Sequence, residues 1–142
     1  MEEQTSYSWP KMEPWKGEPD KIEWQDVDTG YFCRITRGYF KHLIACVCIP
    51  PEHPLSMLHH NEIKLDDSPI HGGICFSGMN YDKCQWEFGF HCDHEGDYSL
   101  RTNIGIYRNI NYVIDNVERL AELLKANDKP RHPQHTPTKI DG

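Results

Sequence analysis

Ionisable side chains cluster at positions 88–97 of this chain, where the sequence reads FGFHCDHEGD. An apolar run over 86–92 leads into His, Asp, His, Glu and Asp, with one glycine among them. Such a strand places titratable groups at the rim of a sheet, and binding and catalytic residues concentrate on loops held by scaffolds of this kind. The segment therefore predicts a functional site, although it does not name a reaction.

Two histidines, His71 and His94, flank two predicted strands. His71 precedes Gly72-Gly73 and the start of one strand, and His94 follows the end of the next. If the strands are antiparallel neighbours, both imidazoles lie at the same edge of the sheet, where they could act as general base and general acid on a phosphodiester. The alternative is that each histidine hydrogen-bonds backbone groups in its own loop.

The same region offers the ligand types that zinc prefers, which are imidazole, thiolate and carboxylate. The candidate ligands are His91, Cys92, Asp93, His94 and Asp97, with His71 or the His59–His60 pair to complete the set. The spacing is not diagnostic, because alternation along a strand separates His91 from Cys92 and His94. Cys92 shares the parity of two phenylalanines, which favours the core, and the chain has no Cys-x-x-Cys motif. We expect no resident cofactor, with zinc on His91, His94 and Asp97 as the alternative.

A third possibility is a ligand pocket with aromatic walls and cationic groups. Rings that could stack on a base are Tyr31, Tyr39, Phe76, Trp86 and Tyr107, and cations that could hold phosphate are Arg34, Arg37, Lys41, Arg101 and Arg108. The amides of Gly72 and Gly73 could bend towards an anion. The residues predicted to bind this ligand are His71, Gly72, Gly73, Phe76, Trp86, His94, Asp97, Tyr107, Arg108 and Arg34. The alternative is that these are ordinary core aromatics and surface cations.

Composition and charge argue against several classes of protein. The net charge of −7 over 142 residues disfavours general binding of DNA or RNA, which depends on Lys and Arg. No apolar run reaches the roughly 20 residues of a membrane span, and the acidic start lacks the features of a signal peptide. We therefore expect a cytoplasmic protein without a membrane partner, whose six cysteines are reduced thiols. The chain also lacks a phosphate-binding P-loop and the Gly-x-Ser-x-Gly motif of serine hydrolases.

The spacing of apolar residues predicts an α+β fold, in which an antiparallel sheet of four or five strands carries one C-terminal amphipathic helix on a face. Strands are predicted over 31–37, 42–49, 74–77 and 85–92, and the first two form a hairpin. Apolar residues at 110, 113, 114, 117, 120, 121 and 124 form the stripe of a helix, with Asn109 or Asn111 as its N-cap. Residues 28–127 are therefore predicted to form one domain.

The two ends of the chain differ from this domain. Residues 1–27 contain three prolines and three tryptophans among charges, which predicts an arm that packs on its own domain, contacts a partner or covers a ligand. Residues 128–142 are polar and rich in proline, which is typical of a disordered tail.

Several segments in consistent order resemble a family of small, largely uncharacterised proteins of bacteriophages, prophages and bacteria. They read PPEHPL from position 50, HGGICFS from 71 and WEFGFHCDHEGD from 86, and YRN and YV follow before the helix. The resemblance covers about residues 31–125. The family usually has Asp in place of His91, a small residue in place of Asp93 and Asp in place of Asn109. The residues that fit the pattern are His71, His94, Gly96, Asp97, Tyr107 and Arg108.

The phage setting of this family implies, by association, a counter-defence role against nucleotide immune signals such as cyclic ADP-ribose variants and cyclic dinucleotides. We expect the chain to bind and sequester such a small phosphorylated molecule in the host cytosol, as a homo-oligomer with pockets between protomers. The alternative is a phosphodiesterase that uses His71 and His94 or a bound metal. A third hypothesis is an interaction protein whose tryptophan-bearing arm blocks a host protein.

Overall fold

The computed structural model describes residues 6–7, 13–65 and 70–129. Within these residues the elements are, in chain order, β1 (Ser6–Tyr7), β2 (Lys21–Gln25), β3 (Phe32–Arg37), β4 (Leu43–Ile49), β5 (Phe76–Asn80), β6 (Gln85–His91), β7 (Gly105–Ile106) and α1 (Ile110–Ala126). A short 3₁₀ helix spans His60–Glu62. No helix in this part of the chain is long and apolar enough to cross a membrane.

Five strands form one open antiparallel sheet in the order β2-β3-β4-β6-β5. β3 and β4 form the predicted hairpin, with Arg34 opposite Cys46. β4 then pairs with β6, so that Val47 lies opposite Phe88, while β1 and β7 pair separately. Together with α1 this is the predicted α+β arrangement, and the number of strands in the sheet is five.

Alternation along the central strands directs one face of the sheet towards α1. Ile35 of β3, Val47 of β4 and Phe88 of β6 point to that face and have no exposed surface. Val117 and Leu124 of α1 are equally inaccessible and pack in the same cluster. Burial of this kind contributes about 1.5–3 kcal/mol for each large apolar side chain, which holds the helix on the sheet.

The start of α1 agrees with the sequence prediction. Asn109 is the N-cap, and its side chain accepts a hydrogen bond from the backbone N–H of Tyr112. A polar cap of this kind satisfies one of the four amides that the first turn of a helix leaves unpaired. The predicted apolar stripe is also confirmed, because Val113, Val117 and Leu120 are all buried.

The sheet begins inside the segment predicted as an arm. β2 pairs with β3 along its whole length, so the sheet starts at Lys21 rather than after residue 27. Every second residue of this edge strand is polar and exposed, and prolines precede the strand. For both reasons the apolar pattern of the sequence did not predict a strand here. Trp15 stacks on Tyr98 and meets Tyr107 edge-on, with ring centroids 5.9 Å apart in both cases, so this tryptophan packs on its own domain. Trp9 and residues 130–142 of the predicted tail lie outside the described residues.

β5 starts two residues later than predicted and continues to Asn80. The ring of Phe76 lies across Gly89 of β6, where an added Cβ would stand 2.2 Å from the ring. A glycine at this position therefore lets the aromatic ring approach the backbone of the neighbouring strand. All six cysteines of the chain are free, as predicted.

Candidate functional site

The antiparallel pairing of β5 and β6 brings His71 and His94 to one edge of the sheet. β5 starts beside the end of β6, and the two imidazole centroids lie 5.8 Å apart. Gly72 packs against His94, because an added Cβ would lie 2.3 Å from His94 Nε2. The φ angle of Gly72 is +67°, a conformation that glycine adopts without steric cost. The predicted juxtaposition of the two histidines is present.

Asp97 is the centre of a polar network at this edge. Its carboxylate is almost completely buried and contacts His71 Nε2 at 2.8 Å and Arg108 Nε at 2.9 Å. The backbone N–H of His94 donates a third hydrogen bond at 3.0 Å. A buried carboxylate requires such partners, because an unpaired charge in the interior is costly.

The hydrogen bonds to Asp97 also determine the tautomer of His71. Burial alone would raise the pKa of Asp97, but hydrogen bonds from His71, Arg108 and the His94 amide outweigh it and hold the pKa below its ordinary value. An ionised carboxylate only accepts hydrogen bonds, so His71 carries a proton on Nε2. Its Nδ1 then faces the Tyr112 hydroxyl at 2.8 Å.

His71 is fixed by its backbone as well as by its ring. The His71 N–H donates to Asn116 Oδ1 at 2.8 Å, and both ring nitrogens are engaged by Asp97 and Tyr112. When His71 is neutral, the Tyr112 O–H donates to Nδ1 and the phenolic oxygen can accept a hydrogen bond from a ligand. When His71 is protonated, that bond reverses and the Tyr112 O–H is free to donate to an anion.

A cavity of about 400 Å³ opens beside this network. Its lining residues are Ile70, His71, Gly72, Tyr112, Asp115, Asn116 and Arg119. The four lining residues from α1 recur at spacings of three and four, so one stripe of the helix forms the wall. The Arg108 guanidinium stands 5.1 Å from the centroid of the Tyr112 ring, within the range of a cation–π contact. The wall therefore combines an aromatic ring, an amide, a cation and a carboxylate.

A second group of side chains, formed by Cys75, His91 and His94, converges next to Gly72. Each side chain offers one ligand atom, and the three atoms lie within 4.8 Å of one another. The His91 and His94 rings stack, with centroids 4.6 Å apart and planes 14° from parallel. Among the described residues, His91 Nδ1 and His94 Nε2 are buried without a hydrogen-bond partner. Burial and the neighbouring His94 lower the pKa of His91, which favours the neutral imidazole.

The other predicted zinc ligands are engaged elsewhere. Cys92 is buried in the apolar core, as its parity indicated. Asp93 accepts a hydrogen bond from Arg101 Nε at 2.8 Å, and Asp97 belongs to the network described above. Cys75, which the sequence did not single out, is the residue that lies beside the two histidines. It precedes the first residue of β5, next to the strand that carries His91.

Two predicted ligand-binding residues belong to different clusters. The Tyr107 hydroxyl donates to Glu18 Oε1 and accepts a hydrogen bond from Arg37 Nη1, both at 2.7 Å. Burial and the hydrogen bond to Glu18 raise the pKa of Tyr107. Arg34 points to the sheet face away from α1, where it lies 3.5 Å from the Glu87 carboxylate. Neither residue lines the cavity beside His71.

Three more predicted residues have structural contacts of their own. Trp86 packs against the core, and its indole N–H donates to the carbonyl of Leu58 at 2.8 Å. Phe76 lies across β6, and the Gly73 N–H donates to the carbonyl of Ile70 at 2.7 Å. That amide closes a turn and is not directed at an anion. Of the predicted set, His71, Gly72, His94, Asp97 and Arg108 are brought together at the edge of the sheet.

The remaining candidates are scattered over the fold. The rings of His59 and His60 stack with centroids 4.2 Å apart, and His60 lines a separate cavity of about 230 Å³. Tyr31 is buried in the core, and burial raises its pKa to about 12. Tyr39 and Lys41 are exposed. These side chains do not approach the cavity beside His71.

Sequence reasoning missed most of the cavity wall. Asp115, Asn116 and Arg119 were not selected, and Tyr112 entered only as part of a resemblance. The only sequence pattern that marks these residues is the polar spacing of three and four beside the apolar stripe of α1. The same spacing is the ordinary pattern of a solvated helix face. Periodicity therefore could not separate a pocket wall from a surface.

Comparison with known proteins was made for the whole chain. No family model, curated protein or solved structure matches it. The resemblance to a phage family stays a prediction, and function is inferred from the geometry of the site.

Proposed function

We propose that this chain binds a small phosphorylated, nucleotide-derived molecule in the cavity beside His71 and sequesters it intact. The observation that carries the proposal is the fixed imidazole, whose two ring nitrogens are engaged by Asp97 and Tyr112. A residue held in this way can orient a ligand through the Tyr112 hydroxyl, but it has no free nitrogen for direct proton transfer. The volume of about 400 Å³ lies within the roughly 300–1,000 Å³ typical of small-molecule sites.

The cavity wall offers a group for each part of a nucleotide. The ring of Tyr112 can stack on a base, and the guanidinium of Arg119 can hold phosphate oxygens in a bidentate contact. Arg119 is positioned by a hydrogen bond from its Nη1 to Asn116 Oδ1 at 3.2 Å. The Asp115 carboxylate can accept hydrogen bonds from ribose hydroxyls or a base amino group. This combination suits a ligand that carries both anionic and donor groups.

The biological setting of the proposal comes from the family resemblance. A phage counter-defence protein of this kind would remove cyclic ADP-ribose variants or cyclic dinucleotides from the host cytosol. Gly72, which lines the cavity, is exposed to solvent, so a ligand can reach the wall or a second protomer can cover it. A homo-oligomer whose protomers close each other's cavities is part of the proposal.

Incubation of the purified protein with a panel of cyclic dinucleotides and cyclic ADP-ribose isomers tests this function. Free ligand is measured by liquid chromatography before and after heat denaturation of the protein. Sequestration predicts that one ligand disappears and returns intact on heating. No uptake of any member of the panel would overturn the proposal and leave the protein-partner hypothesis.

Matched variants link uptake to this cavity. Arg119→Gln should weaken capture about tenfold or more, because a hydrogen bond to a charged group contributes roughly 1.5–3 kcal/mol. Tyr112→Phe removes the hydroxyl that His71 positions and should also weaken capture. Tyr39→Phe changes an exposed tyrosine elsewhere and should leave capture unchanged. Equal capture by all variants would place the ligand outside the cavity.

A phosphodiesterase is a second candidate, because His94 Nε2, which has no partner among the described residues, lies beside Gly72 of the cavity wall, and the His91 ring stacks on His94. A hydrolase would produce new peaks in the same assay, and heating would not return the starting nucleotide. His94→Ala would then abolish product formation, whereas in a binder it would change only the amount of ligand retained.

A further inference from the structure

We propose that Cys75, His91 and His94 form a binding site for a Zn²⁺ ion. They come from the residue before β5, the last residue of β6 and the turn that follows β6. One thiolate and two imidazoles form a donor set that zinc accepts. The proposal does not rest on the ligand of the cavity, so the zinc site and the nucleotide site can each fail without the other.

The distances between the ligand atoms are close to those that zinc requires. The two ring nitrogens and the Cys75 sulfur lie within 4.8 Å of one another. Zinc–nitrogen and zinc–sulfur bonds of about 2.1 and 2.3 Å in a tetrahedron place ligand atoms roughly 3.4–3.6 Å apart. The two imidazole planes are 14° from parallel, so binding of an ion requires the rings to turn about their side-chain bonds until a lone pair of each points to the same position.

Each of the two imidazoles has a buried ring nitrogen that lacks a partner. His91 Nδ1 and His94 Nε2 are buried, and neither has a hydrogen bond within the described part of the chain. Buried polar atoms are nearly always satisfied, and one left alone costs free energy. A single ion bound in the ring planes, at these two nitrogens, would satisfy both atoms at once.

The scaffold holds the three ligands in place. The backbone N–H of Cys75 donates to the carbonyl of Gly89 on β6 at 2.8 Å, which anchors the thiol beside the strand that ends at His91. The backbone N–H of His94 is bound to Asp97 Oδ2. Ligands on ordered elements lose little conformational freedom when they bind an ion.

The donor set also restricts the type of ion. Mg²⁺ and Ca²⁺ take oxygen ligands, whereas thiolate and imidazole favour zinc and similar transition metals. Three protein ligands leave a fourth tetrahedral position for water or a ligand group, which is the pattern of catalytic zinc sites. Gly72 lines the cavity and packs against His94, so the ion would lie near the cavity wall.

Titration of the full chain, purified without a histidine tag, with Co²⁺ and then Zn²⁺ tests this site. A Co²⁺–thiolate bond gives a charge-transfer band in the near ultraviolet, and visible bands of high intensity report four-coordinate geometry. We expect one equivalent of Co²⁺ to produce both signals and one equivalent of Zn²⁺ to remove them. A cobalt spectrum without the thiolate band would overturn the proposal.

Variants assign the signal to these residues. Cys75→Ala should remove the thiolate band and weaken zinc binding by more than the roughly 10–100-fold that loss of an outer-shell contact costs. Cys84→Ala, at an exposed thiol, and His59→Ala, in the stacked pair elsewhere, are matched controls that should retain both signals. A band that survives Cys75→Ala, or one lost in a control, would contradict the assignment.

A second variant keeps the test decisive if Cys75→Ala does not fold. His91→Gln retains the thiol and replaces an imidazole by a weak amide ligand. We expect the near-ultraviolet band to remain at high Co²⁺ concentration while zinc affinity falls. Unchanged zinc affinity in folded His91→Gln would overturn the site.

Discussion

Two neighbouring residues just before α1, Tyr107 and Arg108, belong to two different clusters, each built around one carboxylate. The arm cluster consists of Glu18, Arg37 and Tyr107, and the edge cluster consists of Asp97, Arg108 and His71. Both join an acid, an arginine and a ring, and Tyr107 and Arg108 are neighbours in sequence. They differ in their surroundings, because the edge cluster adjoins a cavity and two imidazoles, each with a buried nitrogen that has no hydrogen bond among the described residues.

The difference indicates what separates an anchor from a site. Glu18 receives hydrogen bonds from Tyr107 and from the N–H of Ile110, and Arg37 binds Asp20 as well, so the arm cluster ties the start of the sheet to the helix. In the edge cluster the Asp97 carboxylate has its hydrogen-bond partners. Beside it, however, lie a cavity and two imidazole nitrogens that have no partner among the described residues. Residue types alone therefore do not distinguish the two clusters, whereas unpaired atoms beside a cavity mark the edge cluster as the candidate site.

Asp97→Asn should have the largest effect, because it removes the buried charge that Arg108 and His71 share. We expect a loss of about 3–5 kcal/mol in the free energy of unfolding, as when one partner of a buried ion pair is removed. Urea denaturation followed by circular dichroism measures the change. A loss below about 1 kcal/mol would show that the edge cluster is no more important for stability than an exposed ion pair.

Glu18→Gln should have a smaller effect, because Glu18 is partly exposed and its amide replacement keeps some hydrogen bonds. We expect a loss of about 1.5–3 kcal/mol, the contribution of hydrogen bonds to a charged group. Nucleotide capture and the cobalt spectrum should be unchanged, since the arm cluster is not part of the cavity. An altered cobalt spectrum would remove the distinction between the two clusters.

Asn109→Ala should cost about 1 kcal/mol, which is typical for loss of an N-cap. Asn109 caps the amide of Tyr112, whereas Glu18 binds the amide of Ile110, so the first turn of α1 has two separate caps. The double variant with Glu18→Gln, compared with each single variant by urea denaturation, shows whether the caps act independently. Non-additive losses would mean that the arm cluster and the cap form one unit.

Tyr107→Phe should have an effect that depends on pH in the alkaline range. Burial and Glu18 raise the folded-state pKa of Tyr107 above the value of about 10 in an unfolded chain. Its contribution is therefore complete below about pH 10 and is lost as pH rises towards the folded-state pKa. The stability difference between the native protein and Tyr107→Phe should be constant up to about pH 10 and should shrink as the pH rises above that value. A constant difference would contradict this assignment.

The elements with short-range patterns were predicted well. α1 and its cap depend on residues three and four positions apart, and the β3–β4 hairpin depends on neighbouring apolar runs. β2 was missed, because an edge strand with one covered face needs few apolar residues, and Lys21, Glu23 and Gln25 read as an arm. Its place in the sheet depends on pairing with β3, which local pattern does not report.

The site was predicted only where topology determines it. Antiparallel strands bring His71 and His94 to one edge, so their proximity followed from the pairing of β5 with β6. The alternation of side chains between the two faces of a sheet does not continue beyond the end of a strand. The stacking of His91, the last residue of β6, on His94 therefore could not be foreseen. The opposite directions of Tyr107 and Arg108 likewise depend on partners far along the chain.

The position of α1 after all five strands of the sheet has a consequence for synthesis of the protein. The ribosome releases β2 to β6 before it releases the helix that covers their apolar face. The hydrogen bond from the Ile110 N–H to Glu18 also forms only after Ile110, 92 residues later in the chain, has been synthesised. Until then the faces of Ile35, Val47 and Phe88 have no cover. A nascent chain stalled before residue 110 should expose this apolar face, and exposed apolar strands favour aggregation.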